Sequence, residues 1–286
     1  MHITLSLEVG NVKETTRLDD VTLNLDIHSC QGRIEQPKAY STFKPSLPLK
    51  NWVKEFWQLN VPDGRYCYRS VPDNCVDIIV NLTHPEEIFV VTPFSTAKVF
   101  EMMGPVSYFG IRFNILGHQG LIAAPLGRWN DSDSVIDIED ILPKDTLDLL
   151  YGDIYKAMSF QHRCESLSNK LLDVLRPYDI DSRLMRYILY CNHNSVVDLS
   201  DRQCSEFGVS ARQLRRLTSQ NLGLTPRDFA KTLRFQNTLQ GIYSGVSSDL
   251  WLNSYYDQPH FIRDFKHITG VTPNEFKTMS VLYNTD

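Results

Sequence analysis

The chain has 286 residues and lacks the features that mark several common classes of protein. It contains no apolar run long enough to cross a bilayer, since even the stretch from Val76 to Val80 is interrupted by Asp77. Its first residues have neither the basic segment nor the uninterrupted apolar core of a secretory signal. We therefore expect a cytoplasmic protein with no membrane partner.

Paired cysteines and cofactor motifs are also missing. The six cysteines are scattered without a CxxC spacing, so we expect reduced, mostly buried thiols rather than disulfides or a zinc site. There is no P-loop, GxGxxG or GxSxG sequence, and the eight histidines show no metal-ligand spacing on a shared helical face. Only His118 lies in a suggestive glycine-rich turn, where a structural role is the more common one. We expect no enzymatic activity, no metal and no cofactor.

A strongly basic surface is absent as well. The net charge is −5, which divides into −7 over residues 1–179 and +2 over residues 180–286. The acidity therefore belongs to the N-terminal part. The weakly basic C-terminal part permits nucleic-acid binding without arguing strongly for it.

Residues 1–142 have the pattern of a β-rich domain. Short alternating or β-branched runs are bounded by Pro, Asn and Gly. One helix is predicted over about 47–58, because Trp52, Phe56 and Leu59 recur at helical spacing. Strands are predicted over 3–7, 21–27, 76–82, 88–92 and 108–113.

Two groups of residues in this domain have alternative interpretations. Trp52, Phe56 and Trp57 are typical of a helix packed on a sheet, and a ligand pocket is the alternative. Asp73 and Asp77 bracket a cysteine, a pattern that fits a turn leading into a strand more simply than a catalytic site. The sequence leaves the ligand-binding residues unknown.

The periodicity becomes helical after this domain. An apolar stripe from Cys164 to Leu175, in the connector 143–179, fits packing within the chain or a homodimer seam equally well. A break around 176–179 precedes an all-helical region, 180–286. Helices are predicted over about 182–192, 198–206, 211–221, 226–243, 249–253, 259–268 and 273–281.

The helical region contains one sequence motif twice. Gly223–Phe229 recurs as Gly270–Phe276, at an offset of 47 residues. In each copy a glycine ends one helix, and a threonine caps the next, with proline at its first position and an acid three residues after the cap. Repetition of a whole supersecondary unit predicts two helix-turn-helix units that face a long, repetitive partner. Double-stranded DNA is such a partner.

The second helix of each unit has a polar outer face that suits DNA. Arginine side chains contact phosphates and guanine edges, although a solvated basic face is the alternative for either helix alone. The helix predicted over 226–243 is roughly 27 Å long and would hold the two helices in successive major grooves, ~34 Å apart. The predicted DNA-binding residues are Arg212, Gln213, Arg215, Arg216 and Ser219 in the first unit, and Gln258, His260, Arg263 and Lys266 in the second.

Three sequence motifs in this region match a known pattern: Ser210-x-Arg212-x-Leu214-x-Arg216, Leu233-Arg234-Phe235, and Tyr256-Asp257-Gln258-x-His260-Phe261-x-Arg263-x-Phe265-Lys266-x-x-x-Gly270-x-x-Pro273-x-x-Phe276. Through them, residues 182–280 resemble the C-terminal domain of AraC/XylS-type bacterial transcription regulators. The resemblance implies a phosphate contact at Lys266. It also implies base contacts at Arg212, Arg215, Arg216, Gln258, His260 and Arg263.

A second resemblance covers residues 45–142, which look like a sensor-type domain often attached to such regulators. It is carried by Pro72–Ile79, by Gly110–Phe113 followed by Gly117, and by Asp137–Ile141. The C-terminal region departs from the family pattern at 249–254, where bulky residues and Ser254 replace the usual small alanine and turn glycine.

These observations predict an α+β two-domain protein. It has a β-rich, barrel- or cupin-like domain over 1–142, a helical connector over 143–179, and an all-α domain with two helix-turn-helix units over 180–286. The expected function is sequence-specific, effector-responsive transcription regulation through DNA binding. The alternative is a regulator that acts mainly by protein–protein contact, given the departure at 249–254 and the charge of +2. Further candidate partners are RNA polymerase, a small-molecule effector and a second copy of the chain.

Overall fold

A computed structural model describes residues 15–17, 27–84, 87–122, 125–129, 138–156, 159–194, 197–245 and 252–285. The strand predictions over 3–7 and 21–27 and the helix prediction over 249–253 fall wholly or largely outside these residues.

The described residues contain an antiparallel sheet followed by helices, which confirms the expected α+β class. The strands are β1 (Thr15–Arg17), β2 (Tyr40–Phe43), β3 (Val53–Ser70), β4 (Asp77–Asn81), β5 (Ile88–Val91), β6 (Lys98–Phe113), β7 (Asp179–Asp181) and β8 (Leu282–Asn284). The main sheet has the order β2-β3-β6-β4-β5, and β8 pairs with β3. Strands β1 and β7 form a separate pair.

The centre of the sheet is a long ribbon made by β3 and β6. Its pairing runs from Val53 opposite Phe113 to Ser70 opposite Lys98. Register shifts interrupt it twice, and the second lies between Val61 and Gly64, near the middle of β3. Such irregularities bend and twist a strand, so the ribbon has a near half before the shift and a far half after it.

The helix predicted over 47–58 is wrong. Only a 3-10 turn, Leu49–Asn51, precedes β3. Because neighbouring residues of a strand point to opposite faces, Phe56 lies in the core while Trp57 and Leu59 lie on the other face of the sheet. Pairing with β2 on one side and β6 on the other decides the conformation of this aromatic segment.

The helices of the C-terminal region lie close to their predicted positions. The helix predicted over 273–281 ends at Thr278, because Met279 is extended and the chain then enters β8. The helix predicted over 198–206 begins later, at Asp201. The helices are α1 (Lys144–Leu149, continued by a π segment to Ile154), α2 (Phe160–Val174), α3 (Ser182–Asn194), α4 (Asp201–Glu206), α5 (Ala211–Leu222), α6 (Pro226–Tyr243), α7 (Gln258–Thr269) and α8 (Pro273–Thr278).

One apolar core joins the sheet to the helices. It includes Phe56 and Ile111 from the sheet, Leu167 and Leu171 from α2, and Phe229 from α6, all fully buried. The apolar stripe of α2 therefore packs within the chain, which decides between the two interpretations of this stripe.

A second core ties the helices to the sheet from another direction. Phe235 of α6, Phe265 of α7 and Phe276 of α8 pack with Val71, which follows β3, and with Val281, which precedes β8. The N-terminal and C-terminal regions thus share buried side chains over two separate areas.

No helix among the described residues is long and apolar enough to span a membrane. All six cysteines are free thiols, and each except Cys30 is buried.

Candidate nucleic-acid interface and interior cavity

Helix α5 is defined by strong signals at both ends. The Ser210 hydroxyl accepts a hydrogen bond from the Gln213 backbone N–H over 3.3 Å, and Gln213 Oε1 accepts one from the Ser210 N–H over 2.9 Å. This capping box fixes the first turn. The helix ends at Gly223, which has a φ of 69°. Gln213 was predicted to contact DNA, and here its side chain is turned back onto the helix start.

Three arginines form the exposed face of α5. Arg212, Arg215 and Arg216 are all exposed, and their spacing of three and four residues places them on one side of the helix. Leu214 and Leu217 are buried on the opposite side. Among the described residues, no carboxylate forms an ion pair with these arginines.

The last turn of α5 packs against the N-terminal region. Ser219, also predicted to contact DNA, is half-buried beside Gly127. The contact is close, since a Cβ added at Gly127 would lie 2.7 Å from the Ser219 Oγ. Gln119 Nε2 donates a hydrogen bond to Asn221 Oδ1 over 2.9 Å. The end of α5 is therefore held by the segment that contains Gln119 and Gly127.

Helix α7 starts and ends in a similar way. The Asp257 carboxylate accepts a hydrogen bond from the His260 N–H over 2.6 Å, and Gly270 ends the helix with a φ of 81°. Of its predicted DNA-binding residues, Gln258, Arg263 and Lys266 are exposed. His260 is half-buried, and its Nδ1 accepts a hydrogen bond from the Tyr256 N–H over 3.3 Å.

A buried ion pair sets the position of α7 on α6. Arg234 Nη2 lies 2.8 Å from Asp264 Oδ2, and both side chains are 8 % exposed. The Arg234 guanidinium also lies 4.5 Å from the centroid of the Tyr255 ring. Because a buried charge is costly without its partner, this pair favours one arrangement of the two helices.

The end of α7 is also held by the N-terminal region. Arg69 Nη1 donates to the Thr269 carbonyl oxygen over 3.0 Å, and the Ala97 N–H donates to the Ile268 carbonyl oxygen over 2.6 Å. These donors satisfy carbonyl groups that a helix C-terminus leaves without partners. Both α5 and α7 thus have their last turns anchored to the N-terminal region.

Helix α6, between the two units, has its own contacts with that region. The Gln236 side chain is fully buried, where Oε1 accepts from the Cys30 N–H and Nε2 donates to the Pro72 carbonyl oxygen, each over 2.6 Å. Asn74, which has a φ of 59°, donates from Nδ2 to the Phe229 carbonyl oxygen over 3.1 Å. The loop that contains Pro72 and Asn74 is therefore bonded directly to α6.

A cavity of about 1060 Å³ lies on the face of the sheet opposite the core. Trp57 from the near half of the ribbon and Tyr68 and Phe100 from its far half line the same space, so the ribbon folds over the cavity. An added Cβ at Gly110 would lie 1.9 Å from the Trp57 ring. The absence of a side chain at Gly110 therefore lets the indole lie against the sheet.

A charged cluster forms one wall of the cavity. Arg112 is buried, with Nε and Nη2 bonded to the two Asp77 carboxylate oxygens over 3.1 and 3.0 Å. Its Nη1 lies 3.4 Å from Glu55 and its Nη2 lies 3.5 Å from Asp73. Burial raises the pKa of Asp77, and the charge of Arg112 acts in the opposite direction. Burial also tends to lower the pKa of Arg112, but the carboxylates outweigh it and raise that pKa.

Sequence reasoning missed this cluster. The interpretation of Asp73 and Asp77 as a turn leading into a strand is confirmed, since Asn74 has a φ of 59° and β4 begins at Asp77. The same residues also line the cavity together with Cys75. The spacing of Asp73, Cys75 and Asp77 at every second residue was the available signal. Of the aromatic residues considered for a pocket, Trp57 lines the cavity, and Trp52 packs in the core.

His118 has surroundings that fit a structural role. It is 2 % exposed, and burial lowers its pKa to about 3. The imidazole is therefore neutral at physiological pH. Its Nδ1 has no hydrogen-bond partner among the described residues.

Comparison with known families matches two segments of the chain. Residues 203–279 match a family described as a helix-turn-helix domain, and residues 41–134 match a domain of unknown function, DUF6597. No curated protein matches the chain.

Solved structures of ToxT from Vibrio cholerae match over most of the chain. An apo alanine variant of ToxT is 11% identical, covers 87% of this chain and 100% of its own, and has a TM-score of 0.38. Wild-type ToxT bound to an unsaturated fatty acid is also 11% identical, with 87% and 98% covered and a TM-score of 0.38. Both likenesses are distant, so the assignment depends on the helix-turn-helix match together with the capped, cation-bearing helices. Residues 203–279 are a helix-turn-helix domain of the AraC type.

Proposed function

We propose that this protein is a sequence-specific DNA-binding transcription regulator that responds to a small molecule held in its N-terminal cavity. One observation carries the DNA-binding part of the proposal. Two capped helices, one in each helix-turn-helix unit, expose the cations Arg212, Arg215, Arg216, Arg263 and Lys266.

The two helices have different parts in this proposal. The arginines of α5 suit bidentate contacts with guanine edges as well as phosphates. On α7, Arg263 reaches bases and Lys266 contacts a phosphate. Helix α6 spans 18 residues, or about 27 Å, and its ion pair with α7 holds the second helix in a fixed position for an adjacent major groove.

The proposed response to a small molecule is supported by pairs of residues that are adjacent in the sequence. One residue of each pair lines the cavity, and the other holds the end of α7. Ser70 and Lys98 line the cavity, and their neighbours Arg69 and Ala97 hold the end of α7. A ligand that moves this wall therefore moves an anchor of a recognition helix.

The same arrangement recurs at α6. Asp73 lines the cavity and lies between Pro72 and Asn74, which are bonded to Gln236 and Phe229 of that helix. A ligand that binds more tightly to one position of this loop than to another favours the matching arrangement of α6. The equilibrium between the two arrangements shifts by the difference in binding free energy.

The test is selection of duplexes from a random DNA library by the full chain. The expected result is an enriched motif, bound with an affinity that falls steeply as salt rises. Alanine at Arg212, Arg215 and Arg216 should abolish the enrichment. The same change at Arg176, an exposed arginine of the connector with 72% side-chain exposure, should preserve it. A wild-type chain that enriches no motif would contradict the proposal.

A second candidate function is regulation mainly through protein contact, favoured by the charge of only +2 over residues 180–286. Crosslinking of the full chain to the genome separates the two functions. Discrete promoter peaks that disappear in the triple arginine variant would exclude this alternative, whereas peaks that persist in that variant would support recruitment by a partner protein.

A further inference from the structure

The wall of the cavity carries more negative than positive charge. Asp73, Asp77 and Glu55 surround Arg112, and Lys54 adds a second cation near Cys75. Glu101 and Lys98 also line the cavity, so four carboxylates face three cations. Lys54 also donates a hydrogen bond to the Ile27 carbonyl oxygen, which directs its ammonium group to the backbone. The excess of one negative charge lies in a buried place, where charge interactions are weakly screened.

The guanidinium of Arg112 is not available to an anionic ligand. Its Nε and Nη2 are bonded to Asp77, and its Nη1 faces Glu55. A ligand carboxylate or phosphate would have to displace a protein carboxylate that is already in place. The cluster thus disfavours anions, although it contains a buried arginine.

The rest of the lining suits an organic cation. Eight of the lining residues are aromatic, among them Trp57, Tyr68 and Phe100. The face of an aromatic ring attracts a cation. The protein already uses one such ring in this way, since the Lys98 ammonium lies 5.2 Å from the centroid of Phe94, and both residues line the cavity.

Trp57 belongs to the same wall of the cavity and is 8% exposed. Burial raises the pKa of Asp77, and a hydrogen bond from the Trp57 indole acts in the opposite direction. This contact favours the charged form of Asp77, which is the form that attracts a cation.

We infer that the cavity binds a monovalent organic cation, an amine or quaternary ammonium group on an apolar body, with the charge placed among Asp73, Asp77 and the aromatic rings. The inference rests on the proposed role of the cavity as an effector site. The volume of about 1060 Å³ lies near the upper end of the usual range for drug-sized ligands.

The experiment titrates the full chain with three probes and follows tryptophan fluorescence and melting temperature. The probes are benzyltrimethylammonium, its uncharged carbon isostere neopentylbenzene, and the anion phenylacetate. The cation should bind about tenfold more tightly than the isostere, and the anion most weakly. Equal affinity for cation and isostere, tightest binding of phenylacetate, or no binding of the cation would overturn the inference.

Variants locate the binding site. Asp73→Asn should weaken binding of the cation about tenfold and leave that of the isostere unchanged, whereas Asp63→Asn, at an exposed position outside the cavity, should change neither. Because Asp73 lies in the loop that holds α6, Phe100→Leu provides a second variant. It keeps an apolar side chain and removes a ring, so it should weaken cation binding selectively. Unchanged cation binding in both folded variants would refute the site.

Motif enrichment, measured on the same protein without probe, keeps the two proposals apart. Cation selectivity without any enriched motif would refute DNA recognition and leave the cavity assignment intact. An enriched motif without cation selectivity would refute only the ligand class.

Discussion

Gln236 Nε2, on the helix between the two helix-turn-helix units, donates a hydrogen bond to the carbonyl oxygen of Pro72 over 2.6 Å. The neighbouring residue, Asp73, lines the cavity. The side chain that connects the two regions is fully buried and also bonds to both backbone groups of Cys30. One glutamine thus holds together two segments of the N-terminal region and α6.

Replacing Gln236 with leucine should destabilise the full chain by about 3 kcal/mol, because buried backbone groups of Cys30 and Pro72 lose their partners. Urea unfolding measures this change. Gln240→Leu is the matched control on the same helix, since Gln240 is only half-buried and bonds to a thiol and a serine hydroxyl. Equal losses in the free energy of unfolding would show that the buried hydrogen bonds of Gln236 stabilise the protein no more than the half-buried ones of Gln240.

Replacing Arg216 and Lys266 separately should have different effects on DNA binding. Arg216→Ala should relax base preference at one position of the selected motif by about 1–3 kcal/mol. Lys266→Ala should weaken binding to all duplexes alike and reduce the salt slope by about 1. Fluorescence anisotropy on the selected duplex and a scrambled one measures both effects. If Arg216→Ala leaves the ratio of the two affinities unchanged, this arginine does not read a base.

Replacing Asp264 with leucine should destabilise the protein by about 3–5 kcal/mol, because Arg234 is left buried without its partner. A second change, Arg234→Met, should recover most of that loss, since an apolar pair of similar volume often replaces a buried ion pair at little cost. Urea unfolding of both single variants and the double variant gives the coupling energy. A double variant as unstable as the sum of the single variants would show that the two residues act independently.

His118 should make the stability of the protein fall as the pH falls. Burial lowers its folded-state pKa from 6.5 to about 3. Below pH 6.5 the unfolded chain therefore binds a proton that the folded protein rejects. Between about pH 6.5 and about pH 5 this costs about 2 kcal/mol. Urea unfolding should show this loss reduced in His118→Leu and unchanged in His162→Gln, an exposed control.

The helical units could be predicted from the sequence because their boundaries depend on neighbouring residues. Ser210 and Gln213 form a capping box within one turn, and Gly223 ends the same helix through its own conformation. Such signals need no distant partner. Even so, a position on the polar face of α5 did not identify what each side chain contacts. Gln213 bonds to the start of its own helix, and Ser219 packs beside Gly127.

The cavity could not be predicted because distant residues create it. Trp57 and Phe100 come together only because the ribbon bends at the register shift after Val61. The incorrect helix prediction over 47–58 has the same cause, because residues far away in the sequence decide the conformation of this segment. The spacing of Trp52 and Phe56 is helical by coincidence, and pairing with β2 and β6 imposes a strand that no local pattern reveals.

Strand β8 has a consequence for how the molecule is assembled. Its residues, Leu282–Asn284, follow both helix-turn-helix units in the chain and pair with Tyr66–Tyr68 of β3. On the ribosome, the sheet around the cavity therefore remains incomplete until both α5 and α7 have been synthesised. Cutting the chain near residue 180 would separate strands of a single sheet, so a fragment that ends there is not expected to form the native sheet.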